Sequence, residues 1–346
     1  MFPGARLLGL AGPRMAAASV EPIVDFDRLV VMGLAEIFTS LPFFISVRRR
    51  IRRLLRDDPP DLVIPVDYPG FNLWLCEEAH QLGIPVLYYI APQLWAWRPG
   101  RAKVLAATTD RVAVVFPQEE PFLRKFGVEA VFVGHPLLDH VGEQETRGEA
   151  IAALGADPER PILGLLPGSR PQEARRHMRP FIQVADEVRR RRPDVQVYVS
   201  SAPHVPAESY GPARDYPVVA DSARILSAAT AVLTKSGTTT IEAALRETPM
   251  VIAHRVNPLT YLVARRLVRV DAVGMVNLLA RRRVVSEFVQ HLPVDEISSE
   301  LCLLLDVAAP QRQAMLVALR GVRSQLGEPG APRRVANLAA DLLNAA

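Results

Sequence analysis

The stretch Leu165-Leu166-Pro167-Gly168-Ser169-Arg170-Pro171-Gln172-Glu173-Ala174-Arg175-Arg176 joins an apolar run to a helix-forming one through a proline–glycine turn. Residues 162–166 read as a buried strand and 171–190 as a helix. Gly168 lets the backbone turn tightly, and free amides at the helix start face an anion placed beyond the strand. Arg170 adds a forked donor for a phosphate. The same residues also read as a capped turn, with Ser169 as N-cap and Gln172 completing a capping box.

The design recurs at Leu233-Thr234-Lys235-Ser236-Gly237-Thr238-Thr239-Thr240-Ile241-Glu242-Ala243-Ala244-Leu245. Ser236, Gly237, Thr238 and Thr239 offer hydroxyls and amides, and Glu242 lies one helical turn onward, placed to accept both hydroxyls of a ribose. Thr239 and Glu242 read equally as a capping box. Two such loops in one half of a chain point to a diphosphate. His254-Arg255-Val256-Asn257-Pro258 and Asn277-Leu278-Leu279 follow strands nearby and read as base or sugar contacts, or as ordinary turn residues.

Outward from these loops, strand-like runs alternate with helix-like runs along the whole chain, the pattern of parallel α/β sheets. Strands are expected at 7–10, 62–66, 86–90, 111–115 and 130–133, then at 162–166, 195–199, 231–233 and 250–253. Helices are expected at 43–56, 72–82, 118–126, 171–190, 239–246 and 259–268, with more beyond 294. The polar stretch at 140–150 reads as a linker. The expected division is 1–145 and 146–330, the second being the nucleotide half, with 331–346 a separate C-terminal segment. Two doubly wound halves would place their ligand beyond the carboxyl ends of the strands.

With 346 residues, 49% hydrophobic and 23% charged, the chain suits two folded domains and not a disordered or fibrous protein. No apolar run approaches the ~18–20 residues a membrane-spanning helix needs. The N-terminal residues lack the basic start and long apolar core of an export signal. Cys76 and Cys302 form neither a disulfide framework nor a zinc pattern, which fits a reducing cytoplasm. There is no Walker loop, no G-x-G-x-x-G after a strand and no acidic metal cluster, so a metal-free mechanism without a nucleotide-hydrolysis or dinucleotide cofactor is expected. Basic residues exceed acidic ones by 41 to 37, a net charge of only +4, so where the arginines cluster matters more than the total; no nucleic-acid partner is expected. Lysine occurs only at 103, 125 and 235.

In the first half, Val63-Ile64-Pro65-Val66-Asp67-Tyr68-Pro69-Gly70-Phe71-Asn72 sets Asp67 just past a strand. A carboxylate there serves as a general base, or stabilises its own turn or caps the next helix. Residues 88–101 hold Gln93, Trp97 and Arg98 beside one another, suited to a sugar or acyl chain, or to core packing. His135 in Gly134-His135-Pro136 reads as a donor to a leaving phosphate or as a locally bonded turn histidine. The run 33–56 carries Phe43 and Phe44 next to Pro42, then six arginines within nine positions beginning with Arg48, Arg49 and Arg50. Apolar surface edged with arginine suits an anionic bilayer, and equally a core helix with a solvated basic end.

Taken together, these residues resemble the lipid-A-disaccharide synthase family. The resemblance runs from about Ala5 to the C-terminus. It rests on Gly12-Pro13-Arg14-Met15, Val31-Met32-Gly33, Pro92-Gln93 with Trp95-Ala96-Trp97-Arg98, and Gly134-His135-Pro136. Leu166-Pro167-Gly168-Ser169-Arg170, Ser236-Gly237-Thr238 with Glu242, Asn257-Pro258-Leu259-Thr260-Tyr261 and Asn277-Leu278-Leu279-Ala280 complete the set.

The resemblance implies a GT-B glycosyltransferase with two Rossmann-like domains and a C-terminal helix at 331–346 crossing back to the first. It implies inverting transfer of 2,3-diacylglucosamine from its UDP conjugate to 2,3-diacylglucosamine 1-phosphate, with no metal, at the inner face of the cytoplasmic membrane. It makes Asp67 the catalytic base and assigns UDP-sugar binding to Gly168, Ser169, Arg170, Ser236, Gly237, Thr238, Glu242 and Asn277. Gln93, Trp97, Arg98 and His135 become acceptor or cleft residues, and Phe43, Phe44, Arg48, Arg49 and Arg50 the membrane contact. A homodimer is left open. Against the family pattern the chain starts at the second strand, after the usual G-E-x-S-G-D loop. Gly70, Val276, Arg281 and Arg283 replace usual family residues. Two alternatives accompany the enzyme reading: a non-catalytic homologue binding nucleotide or membrane, and a GT-B enzyme with another glycolipid acceptor.

Overall fold

The computed structural model describes residues 2, 4–24, 37–95, 99–143, 145–257, 261 and 272–345, with backbone alone for 37–41 and 141–143. Two compact units are distinguished: Met1–Leu94, Pro99–Val133 and Pro332–Ala346 form the first, Trp95–Arg98 and Gly134–Ala331 the second.

In the first unit, β1 (Leu8–Gly9) pairs in parallel with β2 (Glu21–Pro22), and β3 (Leu87–Tyr89), β4 (Arg111–Val114) and β5 (Ala130–Phe132) form a three-stranded parallel sheet. Residues 63–66 extend that sheet: Leu87 N–H donates to Val63 O at 3.0 Å, Tyr89 N–H to Pro65 O at 2.8 Å, and Asp67 N–H to Tyr89 O at 3.0 Å. Pro65 has no N–H to give, so the expected strand at 62–66 reduces to two parallel bridges, Val63 to Val86 and Val66 to Tyr89.

Alternation along the strands gives each face its own cover. Tyr88, Val112 and Val114 point into a core shared with α2 (Ile37–Asp57), α3 (Pro69–Gln81) and α4 (Ala102–Thr108). Leu87, Ala113 and Val133 pack against Val335 and Ala339 of the C-terminal helix Ala331–Ala345. Arg334 also donates to Val133 O at 2.7 Å, and Arg111 lies 3.2 Å from Asp341.

The second unit carries a six-stranded parallel sheet in the order β11-β10-β9-β6-β7-β8. Its strands are β6 (Ile162–Leu166), β7 (Gln196–Ser200), β8 (Val218–Val219), β9 (Ala231–Thr234), β10 (Met250–His254) and β11 (Glu287–Val289). All five residues of β6 and all four of β9 are buried, so both read as unbroken apolar runs. From β6 the chain first builds outward through β7 and β8, then returns to lay β9 against the other side of β6. The sheet therefore changes direction between β6 and β9, where Leu166 lies opposite Thr234. A loop leaves each strand there, which is where open α/β sheets bind ligands.

Several expectations are corrected. Residues 140–150 are not a slack linker: a 3₁₀ helix spans Pro136–Glu143, and Thr146 and Glu149 form a full capping box on the helix Arg147–Leu154. The boundary expected at 145 lies inside the second unit, where His135 N–H donates to Leu326 O at 2.9 Å. The short strands β2, β8 and β11 were not expected, because two or three residues carry too little alternation to register. The helix expected at 259–268 falls, apart from Tyr261, outside the described residues.

Candidate active site

Asp67 sits on the turn between residues 63–66 and α3. Both Asp67 and Tyr68 have left-handed backbones, with φ of 49° and 44°. For residues with a Cβ such a conformation costs on the order of 1–3 kcal/mol each, with aspartate among those that tolerate it best. Three hydrogen bonds hold the turn. The Tyr88 hydroxyl donates to Asp67 O at 2.7 Å, and the Asn72 amide donates to Asp67 O at 2.6 Å and Val66 O at 3.0 Å. Tyr88 is fully buried and Asn72 nearly so. Burial pushes the Tyr88 phenol well above its ordinary pKa, so it stays a donor.

The carboxylate itself does not cap: the N-cap of α3 is Tyr68, without a side-chain bond, and Pro69 opens the helix. The turn-stabilising reading of Asp67 is therefore replaced by the reverse, in which the protein stabilises the turn and leaves an exposed carboxylate without a hydrogen-bond partner among the described residues. Asn72 was within the quoted motif, but its role needs Tyr88, distant in sequence, to be seen.

In the second unit both capping-box readings fail. The helix α7 (Pro171–Arg191) begins one residue later than that reading requires, with Arg170 as N-cap and no side-chain cap. Gly237 is the N-cap of α9 (Thr238–Leu245), again without a side-chain cap. Gly168 at φ 125° and Gly237 at φ 153° hold backbones that a side chain would strain. Lys235 N–H donates to Leu166 O at 3.2 Å and keeps the two loops side by side. Ser169, Arg170 and Thr238 are exposed. Ser236 donates its hydroxyl to Val273 O at 2.8 Å. Glu242 is half-buried, and the loss of solvent raises its pKa, an effect partly offset by Arg246.

Behind the loops, the ring of His177 stacks on that of His254 at 5.6 Å. Its Nδ1 meets Glu173 O at 2.8 Å and its Nε2 accepts from Arg255 N–H at 2.9 Å, while burial lowers its pKa to about 4. Lys235 and Glu173 form an ion pair at 3.2 Å between the loops. Neither was singled out from the sequence, although both lie within the quoted motifs and lysine is scarce.

Asn277 does not offer a free amide. It is 2% exposed; its Nδ2 donates to Val285 O and Glu287 Oε1, and its Oδ1 accepts from Val284 and Val285 N–H. All four of its hydrogen-bonding sites are used, so it shapes the loop and does not contact a nucleotide with that amide. His135 is buried, and its Nδ1 accepts from Leu137 N–H at 3.2 Å, the local turn bond. Burial lowers its pKa to about 4, so the ring is neutral at neutral pH. Gln93 is half-buried in the first unit, and Trp97 and Arg98 lie outside the described residues.

The proposed membrane stretch is also redrawn. Phe43 packs on the core in line with Val47, Ile51 and Leu55, a stripe of four-residue steps along α2. Like Phe44 it is only half-buried. Arg48, Arg49 and Arg50 are exposed, Arg48 lying 4.7 Å from the Trp74 ring centre. Among the described residues no group of three or more histidine, cysteine, aspartate or glutamate side chains is gathered as a metal site requires.

If the three bonds hold the Asp67 turn, Tyr88→Phe is expected to lower the unfolding free energy by about 1–2 kcal/mol, and Asn72→Ala by more because two bonds go. Urea titration measures both. Unchanged midpoints would show that the turn does not depend on them.

A family model described as lipid-A-disaccharide synthetase matches residues 1–323. The lipid-A-disaccharide synthase of Geobacter metallireducens is 40% identical over 99% of this chain and 90% of its own length. Among solved structures, an S. aureus MnaA–UDP co-structure superposes with a TM-score of 0.64 at 11% identity, over 95% of this chain and 86% of that one. MurG of Acinetobacter baumannii gives 0.52 at 16% identity, over 86% and 78%. These two likenesses show the fold, GT-B, with its parallel-sheet units. The sequence matches show more: the chain belongs to the lipid-A-disaccharide synthase family.

Proposed function

We propose that the chain transfers 2,3-diacylglucosamine from its UDP conjugate to 2,3-diacylglucosamine 1-phosphate, giving β-1,6-linked lipid A disaccharide 1-phosphate and UDP. The observation that carries this reading within the family is the Asp67 turn, which presents an exposed carboxylate that no hydrogen bond from the described residues engages. Asp67 takes the proton of the acceptor 6-hydroxyl, the oxygen attacks the donor's anomeric carbon from the side opposite the diphosphate, and the bond to UDP breaks with inversion. Loop amides at Gly168, Ser169, Ser236, Gly237 and Thr238, together with Arg170, hold the diphosphate and its developing charge. Glu242 accepts from the ribose, and Asn277 keeps the neighbouring loop in shape. No metal takes part in this scheme.

Both substrates carry acyl chains. We place the peripheral contact with the anionic inner face of the cytoplasmic membrane on Phe44 with Arg48, Arg49 and Arg50. Among the described residues no single helix is long and apolar enough to cross a membrane.

Asp67→Asn is expected to abolish transfer, measured as UDP release with both lipid substrates, while UDP still binds; retained turnover would remove Asp67 as base. Glu242 must be ionised to accept from the ribose, and its pKa is raised by burial. Affinity for uridine, which carries the ribose but no phosphate to titrate, should therefore fall as pH drops from neutrality, already above the ordinary glutamate pKa of about 4.3. The Glu242→Gln protein should bind more weakly at neutral pH and show no such fall; a parallel fall in both would place the titrating group elsewhere. Phe44→Ser combined with glutamate at Arg48, Arg49 and Arg50 should reduce sedimentation with phosphatidylglycerol-containing vesicles. Undiminished sedimentation would put the contact on another surface.

A further inference from the structure

Between the two glycine turns of the second unit lies an anion that belongs to the protein. Glu173, in the first turn of α7, accepts from Lys235 Nζ at 3.2 Å through Oε1, and the same oxygen lies 3.7 Å from Arg170 Nη1. The side chains of Glu173 and Lys235 are each only 16% exposed. The other carboxylate oxygen, Oε2, is buried and has no hydrogen-bond partner among the described residues. Both glycines are pressed against the pair. A Cβ on Gly168 would stand 2.7 Å from Glu173 Oε2, and one on Gly237 would stand 2.8 Å from Lys235 Nζ.

We propose that Glu173 is an internal stand-in for the donor's diphosphate, and that Lys235 is a further diphosphate-binding residue which, with Arg170, exchanges that carboxylate for phosphate oxygens. This rests on the reading of the second unit as the UDP-sugar site. A carboxylate serving only to fix the fold would have both oxygens bonded; here one is buried and unmet, so Glu173 loses little by turning out to solvent. The diphosphate brings more oxygens to the same two cations and to the uncapped amides of both loops. The exchange also suits a lysine: its ammonium is a compact charge on a flexible stem and can follow a new partner without rebuilding a planar fork. Until the donor arrives, Glu173 neutralises the cations and repels weaker anions from them. The pair thus selects for ligands with enough negative charge to displace it.

Titrations of the full chain with UDP and with uridine, which has no phosphate, test the exchange. Lys235→Met is expected to weaken UDP binding by about 10- to 100-fold. Glu173→Gln, which removes the competing charge, should tighten it by roughly threefold or more. Uridine should bind all three proteins alike, which also reports that the site is folded. If Lys235→Met does not unfold cooperatively, Lys235→Gln replaces it. Normal UDP binding by the unaltered chain with no change in either variant would overturn the exchange while leaving the nucleotide site in place. Weaker UDP binding by Glu173→Gln would also overturn it, since the carboxylate would then be assisting the ligand. No binding of UDP or uridine by the unaltered chain would overturn both the exchange and the underlying assignment.

Discussion

Parallel pairing of β6 with β9 is the constraint on which the nucleotide half depends. The two strands are distant in sequence, yet Leu163, Gly164, Leu165 and Leu166 run in register with Ala231, Val232, Leu233 and Thr234. Once they are neighbours, their loops must leave side by side from one end of the sheet. Gly164 is required for that closeness on the helical side: a Cβ there would approach Ile225 to 2.6 Å and Val232 to 3.0 Å. Gly168 and Gly237 are required on the loop side, where the chain has to turn away sharply. The chemistry follows from the pairing, because helix starts without side-chain caps and a half-buried lysine are brought to one place by backbone hydrogen bonds alone.

The order of strands and helices in this half was legible because β6, β9 and β10 are buried and read as apolar runs bounded by turn residues. What sequence could not separate was a capping box from an anion loop, since both use small hydroxyl residues followed by a glutamate or glutamine. The distinction is a matter of where the helix begins. Arg170, not Ser169, is the cap of α7, and Gly237, not Thr239, precedes α9. Asn277 shows the opposite failure. A polar residue at a helix start looks available for a ligand until Glu287 and the backbone at 284 and 285 are seen to use its whole amide.

In the first half the place of Asp67 at the end of an apolar run is legible in the sequence, but the strain of its backbone is not. Left-handed backbone at two successive side-chain-bearing residues leaves no mark in composition or spacing. It is maintained by Tyr88 on the neighbouring strand, and strand partners are what periodicity leaves undetermined. The packing of Phe43 is hidden for a related reason. A pair of adjacent phenylalanines beside arginines looks like a surface feature, whereas the four-residue steps from Phe43 to Leu55 turn the first of the pair inward.

The first unit is discontinuous, since residues 332–346 belong to it while the intervening segment from 134 to 331 builds the second. During synthesis, the sheet face bearing Leu87, Ala113 and Val133 lacks the cover of Val335 and Ala339 until these have been made. The second unit, apart from Trp95–Arg98, is one run over 134–331 and does not wait for the C-terminal helix. Synthesis order and folding order therefore part company: the half that begins first is the half that finishes last, and its greasy sheet face stays exposed to aggregation or chaperone capture while the other half folds.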